Sequence, residues 1–189
     1  TCALPIFLET EKTLYSIMGK TNVSVSQMVK FYKNKATVSY PYSNVSEAPT
    51  IEKFCQIYKE ESEVEGVKAE VAFAQAMMET GFLKFGGDVK KDQYNFAGIG
   101  AIGGGSSGAK FDSIRIGIRA HVQHLKAYAS KEALKQPVVD PRFQYVKRGS
   151  AEYVQWLGQK ENPNGYGWAT AKNYGNNIVK LYILPMKKY

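Results

Sequence analysis

The stretch from Val67 to Met78 is apolar on almost every side, because Val71, Ala72, Phe73, Ala74, Ala76, Met77 and Met78 together cover nearly the whole circumference of a helix. A helix of that kind is stable only when buried. The chain must therefore supply other elements to surround it. Glu79-Thr80-Gly81 closes the stretch, with the glycine placed to end the helix in a left-handed conformation.

Candidates for that cover lie on both sides. Ser24 with Gln27 forms a capping-box pattern, and Met28, Val29 and Tyr32 then share one helical face up to about Lys35. A linker runs from Tyr40-Pro41-Tyr42 through Ala48-Pro49. Thr50 can cap a second helix carrying Ile51, Phe54, Cys55 and Tyr58 at i, i+3, i+4 and i+7, closed by charges and Gly66. After the apolar helix, Gly86 to Gly108 holds 8 of the 17 glycines, too many for a stable helix, and reads as a loop-rich lobe with short hairpins. Asp112 and Ser113 can cap a helix striped by Ile118, Val122, Leu125 and Ala129, which breaks at Pro137 and Pro141. Two more helical segments follow, about Ser150 to Leu157 and about Asn173 to Leu184, the second with Tyr174, Ile178, Leu181 and Tyr182 on one face. The expected class is mainly α, strictly α+β, with a helical body and a small glycine-rich β-lobe. Residues 1–49 read as a helical lead-in and linker, and residues 50–189 as the main body. Thr1 to Phe7 match no element.

With 25 basic against 17 acidic residues, the net charge of +8 favours a polyanionic partner. Nucleic acid and bacterial wall polymer both qualify. The basic residues stand singly or in pairs, such as Lys90-Lys91 and Lys187-Lys188, without a basic helix face or zinc-finger spacing, so no nucleic-acid role is expected. Cys2 and Cys55 are too few for a disulfide framework or a metal site, and Cys55 falls in an apolar helical pattern as a small core residue. No run approaches the roughly 18 apolar residues of a membrane span. A soluble, monomeric unit is expected, with no membrane insertion.

Glu79 carries the chemistry. A carboxylate at the C-terminus of a nearly all-apolar helix meets both desolvation and the negative end of the helix dipole, and both disfavour its ionised form. A raised pKa is what a general acid working near neutral pH requires. Electrostatics alone leaves a second reading open, in which Glu79 turns out to solvent at a frayed helix end. The glycine-rich lobe that follows favours the functional reading, since glycines let a backbone approach a bulky ligand. Tyr94-Asn95-Phe96-Ala97-Gly98-Ile99-Gly100 interleaves aromatic rings with an amide, a pattern suited to sugar faces and hydroxyls. Tyr94, Asn95, Phe96 and Trp168 are the candidate sugar contacts, although Phe96 and Ile99 also suit a small core beneath the lobe. Trp168 follows the loop Asn162-Pro163-Asn164-Gly165-Tyr166-Gly167, whereas Trp156 reads as core.

Glu79-Thr80-Gly81, then Asn95-Phe96-Ala97-Gly98-Ile99, then Trp168-Ala169-Thr170 with Asn173-Tyr174 resembles the glucosaminidase family of bacterial autolysins, glycoside hydrolase family 73, with clostridial autolysin catalytic domains the nearest in pattern. The resemblance covers roughly Ile51 to Leu184, and three motifs in order are far more specific than any one of them. It implies a lysozyme-like helical body with a small β-lobe, and a catalytic domain over residues 50–189. The implied reaction is hydrolysis of the β-1,4 bond between N-acetylglucosamine and N-acetylmuramic acid in peptidoglycan. By position, Glu79 matches the family's catalytic acid and Tyr174 its supporting tyrosine. Where the family's third motif carries an aspartate, this chain has Ala171. An exported, wall-associated enzyme follows as an expectation, with peptidoglycan strands and anionic wall polymers as its partners.

Glycosidases usually need a second carboxylate, and none declares itself. Asp112 precedes a helix start and reads as a cap, while Asp88 and Asp92 sit among lysines and read as solvated. The 2-acetamido group of the substrate offers an alternative nucleophile. His121 and His124 at i, i+3 lack a third ligand at zinc-like spacing and read as structural. Ser106-Ser107 lacks the flanks of a nucleophile elbow. No metal or cofactor is expected. The rival readings are a muramidase or lytic transglycosylase on the same fold, and a non-catalytic wall-binding module.

Overall fold

The computed structural model describes residues 13–101 and 107–189. Thr1 to Phe7, Cys2, Gly103 to Gly105 and Ser106 lie outside the described residues.

The all-apolar stretch forms α3, Ala69–Thr80, and from Ala69 through Met77 every residue is buried. Three helices supply part of its cover, and the C-terminal segment 178–183 supplies the rest. The first, α1, Val25–Lys35, begins with the expected capping box, Ser24 Oγ accepting from the Gln27 amide. Thr50 starts α2, Ile51–Glu65, which ends at left-handed Gly66. The longest, α4, Ile114–Ala129, buries Ile118, Val122, Leu125 and Ala129 as expected. Its cap is Ser113, whose Oγ accepts from the Ile116 amide at 3.2 Å, while Asp112 is exposed one residue outside. The short hydroxyl reaches that amide within the extended cap geometry and leaves the aspartate no amide to satisfy.

The interior is rich in aromatic edges. Phe54 meets Phe96 at 5.1 Å and Tyr58 at 5.3 Å between ring centroids, in tilted or edge-to-face geometry. Cys55 is wholly buried among these groups. The lead-in belongs to the same core: Ile17, Met28 and Phe31 are fully buried in it. Its backbone is stitched to the body where Val154 N–H donates to Tyr15 O at 2.8 Å and Lys68 N–H to Ile17 O at 2.9 Å.

The chain closes on a rod that changes pitch. A helical turn, α5, Tyr174–Asn177, continues as a π segment, Ile178–Ile183, and ends as α6, Leu184–Met186. Widening the turn rotates the later residues, so Val179 and Ile183 point inward and Leu181 is 59% exposed. The expected stripe through Leu181 assumed a constant helical period. The segment expected from Ser150 to Leu157 shrinks to a 3₁₀ turn, Val154–Leu157.

Within the lobe the described residues carry no strand and no bridge, in place of the expected hairpins. Side chains hold it instead. Asn95 Nδ2 donates to the carbonyls of Ile99 at 2.9 Å and Ala109 at 3.0 Å, and its Oδ1 accepts from the Ile99 amide at 2.9 Å. Gln93 Nε2 donates to Ser107 O at 2.6 Å. A glycine-rich backbone gains little from a ladder with few side chains to pack on it, and one buried amide side chain can satisfy several loop groups at once.

Candidate active site

Glu79 stands on the last turn of α3, where Gly81 (φ 58°) closes the helix in the left-handed region. Phe82 and Leu83 keep positive φ values of 56° and 62°, so the chain turns back at once. Side chains such as these avoid that region, and the conformation persists only where the surroundings fix it. Here they do: Thr80 Oγ1 accepts from the Leu83 amide at 3.0 Å and donates to Ala76 O at 2.7 Å, Leu83 is buried, and Phe82 stacks on Tyr182 at 5.6 Å. The end carrying Glu79 is therefore held rather than frayed.

Glu79 keeps one open face, toward a hollow of about 260 Å³ that it lines with Phe85, Asp88, Val89, Asn95 and Gly98. By surface Glu79 is an exposed residue, yet protein crowds its carboxyl on the other sides, and that desolvation pushes the group above the ordinary range, while a hydrogen bond from Tyr174 pulls the other way without cancelling the rise. Among the described residues no Lys, Arg or His forms an ion pair with it. A proton donor must be both desolvated and reachable, and Glu79 is both.

Tyr174 comes to Glu79 from the opposite end of the chain and donates its hydroxyl hydrogen to Glu79 Oε1. Burial, reinforced by the neighbouring Glu79, drives the phenol well above its usual range, so it stays protonated. Close packing places it: a Cβ at Gly175 would collide with the carbonyl of Val154, so only glycine lets this helix lie against the Val154–Leu157 turn. Behind Tyr174, its oxygen accepts from Gln75 Nε2 at 2.9 Å.

The candidate sugar contacts divide. Trp168 lines a second hollow of about 230 Å³ with His124, Tyr128, Arg142 and Tyr145, and the two hollows share Gly98 and Ala101 as a common wall. Tyr94, left-handed at φ 50° and half-buried, packs between the lobe and the main core, 5.9 Å from Tyr42. Asn95 borders the Glu79 hollow but is 1% exposed, with its amide engaged inside the lobe. Phe96 is fully buried, edge-on to Phe54, so it fills the core beneath the lobe and cannot reach a sugar. An amide able to meet a sugar hydroxyl is equally able to satisfy four loop groups, and sequence alone does not separate the two uses.

Around the two hollows the structure also gathers residues that the sequence reading had set aside or passed over. Asp88 lines the Glu79 hollow, exposed as expected but on its wall. Arg142 stacks over the Tyr145 ring at 4.5 Å beside Trp168. His124 Nδ1 pairs with Asp140 Oδ2 at 2.6 Å, and its ring meets Trp168 edge-on at 4.6 Å. His121 is fully buried and held neutral by that burial, its pKa lowered to about 3. No group of three or more metal-ligating side chains occurs among the described residues.

A helical body with a crowded but reachable carboxyl beside a cleft has the layout of a lysozyme-like fold. The chain belongs to the Glucosaminidase family, described as mannosyl-glycoprotein endo-beta-N-acetylglucosaminidase, whose pattern matches residues 55–183. It is 46% identical over 132 residues to an uncharacterized protein of Borreliella burgdorferi, a match covering 70% of this chain and 61% of that protein. The fold resembles crystal structures of S. aureus autolysin E. One, in complex with the muropeptide NAM-L-Ala-D-iGlu, aligns at 20% identity and TM-score 0.57, covering 93% of this chain and 72% of that one. Another, a catalytic glutamate-to-alanine mutant in complex with the disaccharide NAG-NAM, aligns at 19% identity and TM-score 0.58 with the same coverage. At these identities the likeness is one of fold.

Proposed function

We propose that this chain hydrolyses the β-1,4 bond between N-acetylglucosamine and N-acetylmuramic acid in bacterial peptidoglycan, with Glu79 as general acid and Tyr174 as its partner. The observation that carries the reading is the desolvated carboxyl of Glu79, open to a cleft and, among the described residues, hydrogen-bonded only by a neutral phenol. Family membership and the sugar-bound state of the similar autolysin support the substrate class.

In this reading Glu79 gives its proton to the glycosidic oxygen as the bond to the anomeric carbon breaks. Tyr174 then donates its hydrogen bond to the carboxylate left behind, which lowers the cost of the charge in that crowded setting. The attack on the anomeric carbon is assigned to the carbonyl oxygen of the substrate's own 2-acetamido group, with water opening the resulting ring. Trp168, with Tyr128 and Tyr145, forms the aromatic wall against which a neighbouring sugar stacks. Peptidoglycan lies outside the cytoplasmic membrane, so the enzyme acts as an exported, wall-associated protein, and its +8 charge draws it toward anionic wall polymers.

Mass spectrometry of purified peptidoglycan digested by the protein tests the bond. Fragments ending in reducing N-acetylglucosamine are expected. Reducing N-acetylmuramic acid would make the protein a muramidase, anhydro-sugar ends a lytic transglycosylase, and sedimentation with walls that remain uncut a binding module.

A further inference from the structure

Tyr174 is the last visible member of a longer chain of buried polar groups. Its oxygen accepts from Gln75 Nε2 at 2.9 Å. Gln75 Oε1 lies 2.9 Å from His121 Nε2, and His121 Nδ1 lies 3.1 Å from the hydroxyl of Tyr58. The links join α3, α4 and α2 behind the cleft, and Gln75, His121 and Tyr58 are each fully buried. None of them touches the hollow at Glu79.

The direction of the chain follows from its far end. Among the described residues the Tyr58 hydroxyl has His121 as its sole hydrogen-bond partner, and a buried O–H hydrogen left without an acceptor is costly. Tyr58 therefore donates to Nδ1. A neutral imidazole carries one hydrogen, which must then sit on Nε2 and point at Gln75 Oε1. That fixes the amide, so its NH₂ faces Tyr174, and the Tyr174 oxygen, having accepted there, sends its own hydrogen to Glu79. Every link points toward Glu79. Had the Gln75 amide turned over, its carbonyl would accept from Tyr174, and Glu79 would face a lone pair instead of a hydrogen.

We propose that Gln75 and His121 are positioning residues which, oriented by Tyr58, hold the hydroxyl hydrogen of Tyr174 on Glu79. They touch no substrate. Their action is to keep one polarity along the chain, so that Tyr174 is always ready to receive the carboxylate formed when Glu79 gives up its proton. His121 also packs edge-on against Trp168 at 5.8 Å, so the same ring supports the acid and the aromatic wall.

The inference rests on Glu79 as the acid, but its test does not depend on turnover. A carbon-13 label on the Glu79 carboxyl reports that group's titration directly. The other titratable groups facing Glu79 are Tyr174 and Tyr182 from the C-terminal rod and Asp88 on the cleft wall, and Asp88 is removed as a source of change by repeating the titration in Asp88→Asn. Losing a hydrogen bond to the charged form raises a carboxyl pKa by about one unit. Tyr174→Phe, Gln75→Leu and His121→Phe are each expected to show that upward shift, and His121→Gln, which restores an amide N–H toward Gln75, to reverse most of it. Tyr58→Phe removes one oxygen and no carbon, and decides the case should His121→Phe fail to fold. It is expected to shift the titration in the same direction. A titration unmoved in folded Tyr58→Phe and Gln75→Leu, but moved in Tyr174→Phe, would overturn the relay. A shifted titration in a protein that cleaves no peptidoglycan would instead leave the relay standing and remove the proposed function.

Discussion

The acidic residues on α2 and the one that ends α3 are met by different donors. On α2, Glu61 accepts from Arg119 Nε at 2.9 Å, Arg115 Nη1 at 2.9 Å and Gln136 Nε2 at 2.9 Å. One turn on, Glu65 pairs with Lys126 at 2.9 Å, both side chains fully buried, and accepts from the backbone amides of Lys135 and Gln136. Among the described residues Glu79 has a single donor, and it is neutral. Desolvation acts upward on both Glu61, which is buried, and Glu79, which keeps an exposed face. At Glu61 the hydrogen bonds from Arg119, Arg115 and Gln136 overcome it and the pKa falls below the usual carboxylate range, whereas at Glu79 it wins. Hydrogen bonds to charged groups contribute about 1.5–3 kcal/mol each, so three of them outweigh a desolvation that one phenol cannot. Burial makes a carboxylate costly, and the number and charge of its donors decide whether it becomes a strut or an acid.

The largest test of that contrast is Glu79→Gln. Wall-lytic activity is expected to fall about 10²–10⁴-fold, the usual contribution of a general acid, with the fold retained by circular dichroism. Substantial residual turnover on purified peptidoglycan would remove Glu79 from the acid's role. Next comes the opposite site. Lys126→Met strands Glu65 as a buried charge with only its backbone donors left, and a loss of about 3–5 kcal/mol of unfolding free energy is expected in urea. Activity per folded molecule should stay unchanged, and a matching loss there would mean that the two sites are not separate.

The same contrast predicts opposite pH dependences. Glu61, with its pKa lowered in the fold, contributes stability above its unfolded value and loses it as pH falls through the folded value. Glu79, with its pKa raised, contributes below its unfolded value and loses that contribution as pH rises through the folded value. Thermal melts across acid to neutral pH should therefore show Glu61→Gln less stable than the parent near neutrality, the gap closing in acid. Glu79→Gln should match the parent in acid and gain on it as pH rises. Activity should fall along an alkaline limb as Glu79 loses its proton, and parallel pH profiles for parent and Glu79→Gln stability would contradict the assignment.

How far this could be read from the chain depended on the range of the interactions. The caps at Ser24 and Thr50 and the left-handed end at Gly81 were legible because each is settled within a few residues. Burial of α3 was legible because its composition leaves no alternative. Leu181 was misplaced because the π segment changes the period within a sequence that carries no mark of it. Asn95 showed an amide in an aromatic setting, and only the fold reveals that its amide is spent on Ile99 and Ala109. Tyr174 entered through its motif, but the chain behind it joins Gln75 to residues 99 and 46 positions away, beyond the reach of any spacing rule. Ion pairing of Glu61 and Glu65 was equally hidden, since their cations come from α4.

The smallest expected effect concerns Asp88, the other carboxylate on the wall of the Glu79 hollow. It is exposed, on a loop between Gly87 and Val89, and forms no ion pair among the described residues. A general base in an inverting glycosidase stands roughly 6.5–9.5 Å from the acid, with its ionised form aimed at a water. An exposed, hydrated carboxylate would serve that purpose poorly, because its solvation must be rearranged at each turnover. The acetamido route needs no such group, so Asp88→Asn should retain activity within about tenfold of the parent, a change well below that of removing a general acid or base. The measurement is kcat on peptidoglycan of defined chain length, alongside the anomeric configuration of the first product by proton NMR. Retention of configuration with nearly intact turnover fits attack by the substrate's own acetamido oxygen. Inversion together with a loss as deep as that of Glu79→Gln would make Asp88 the base, and the molecule would then hold its second catalytic carboxylate in the open rather than within the body.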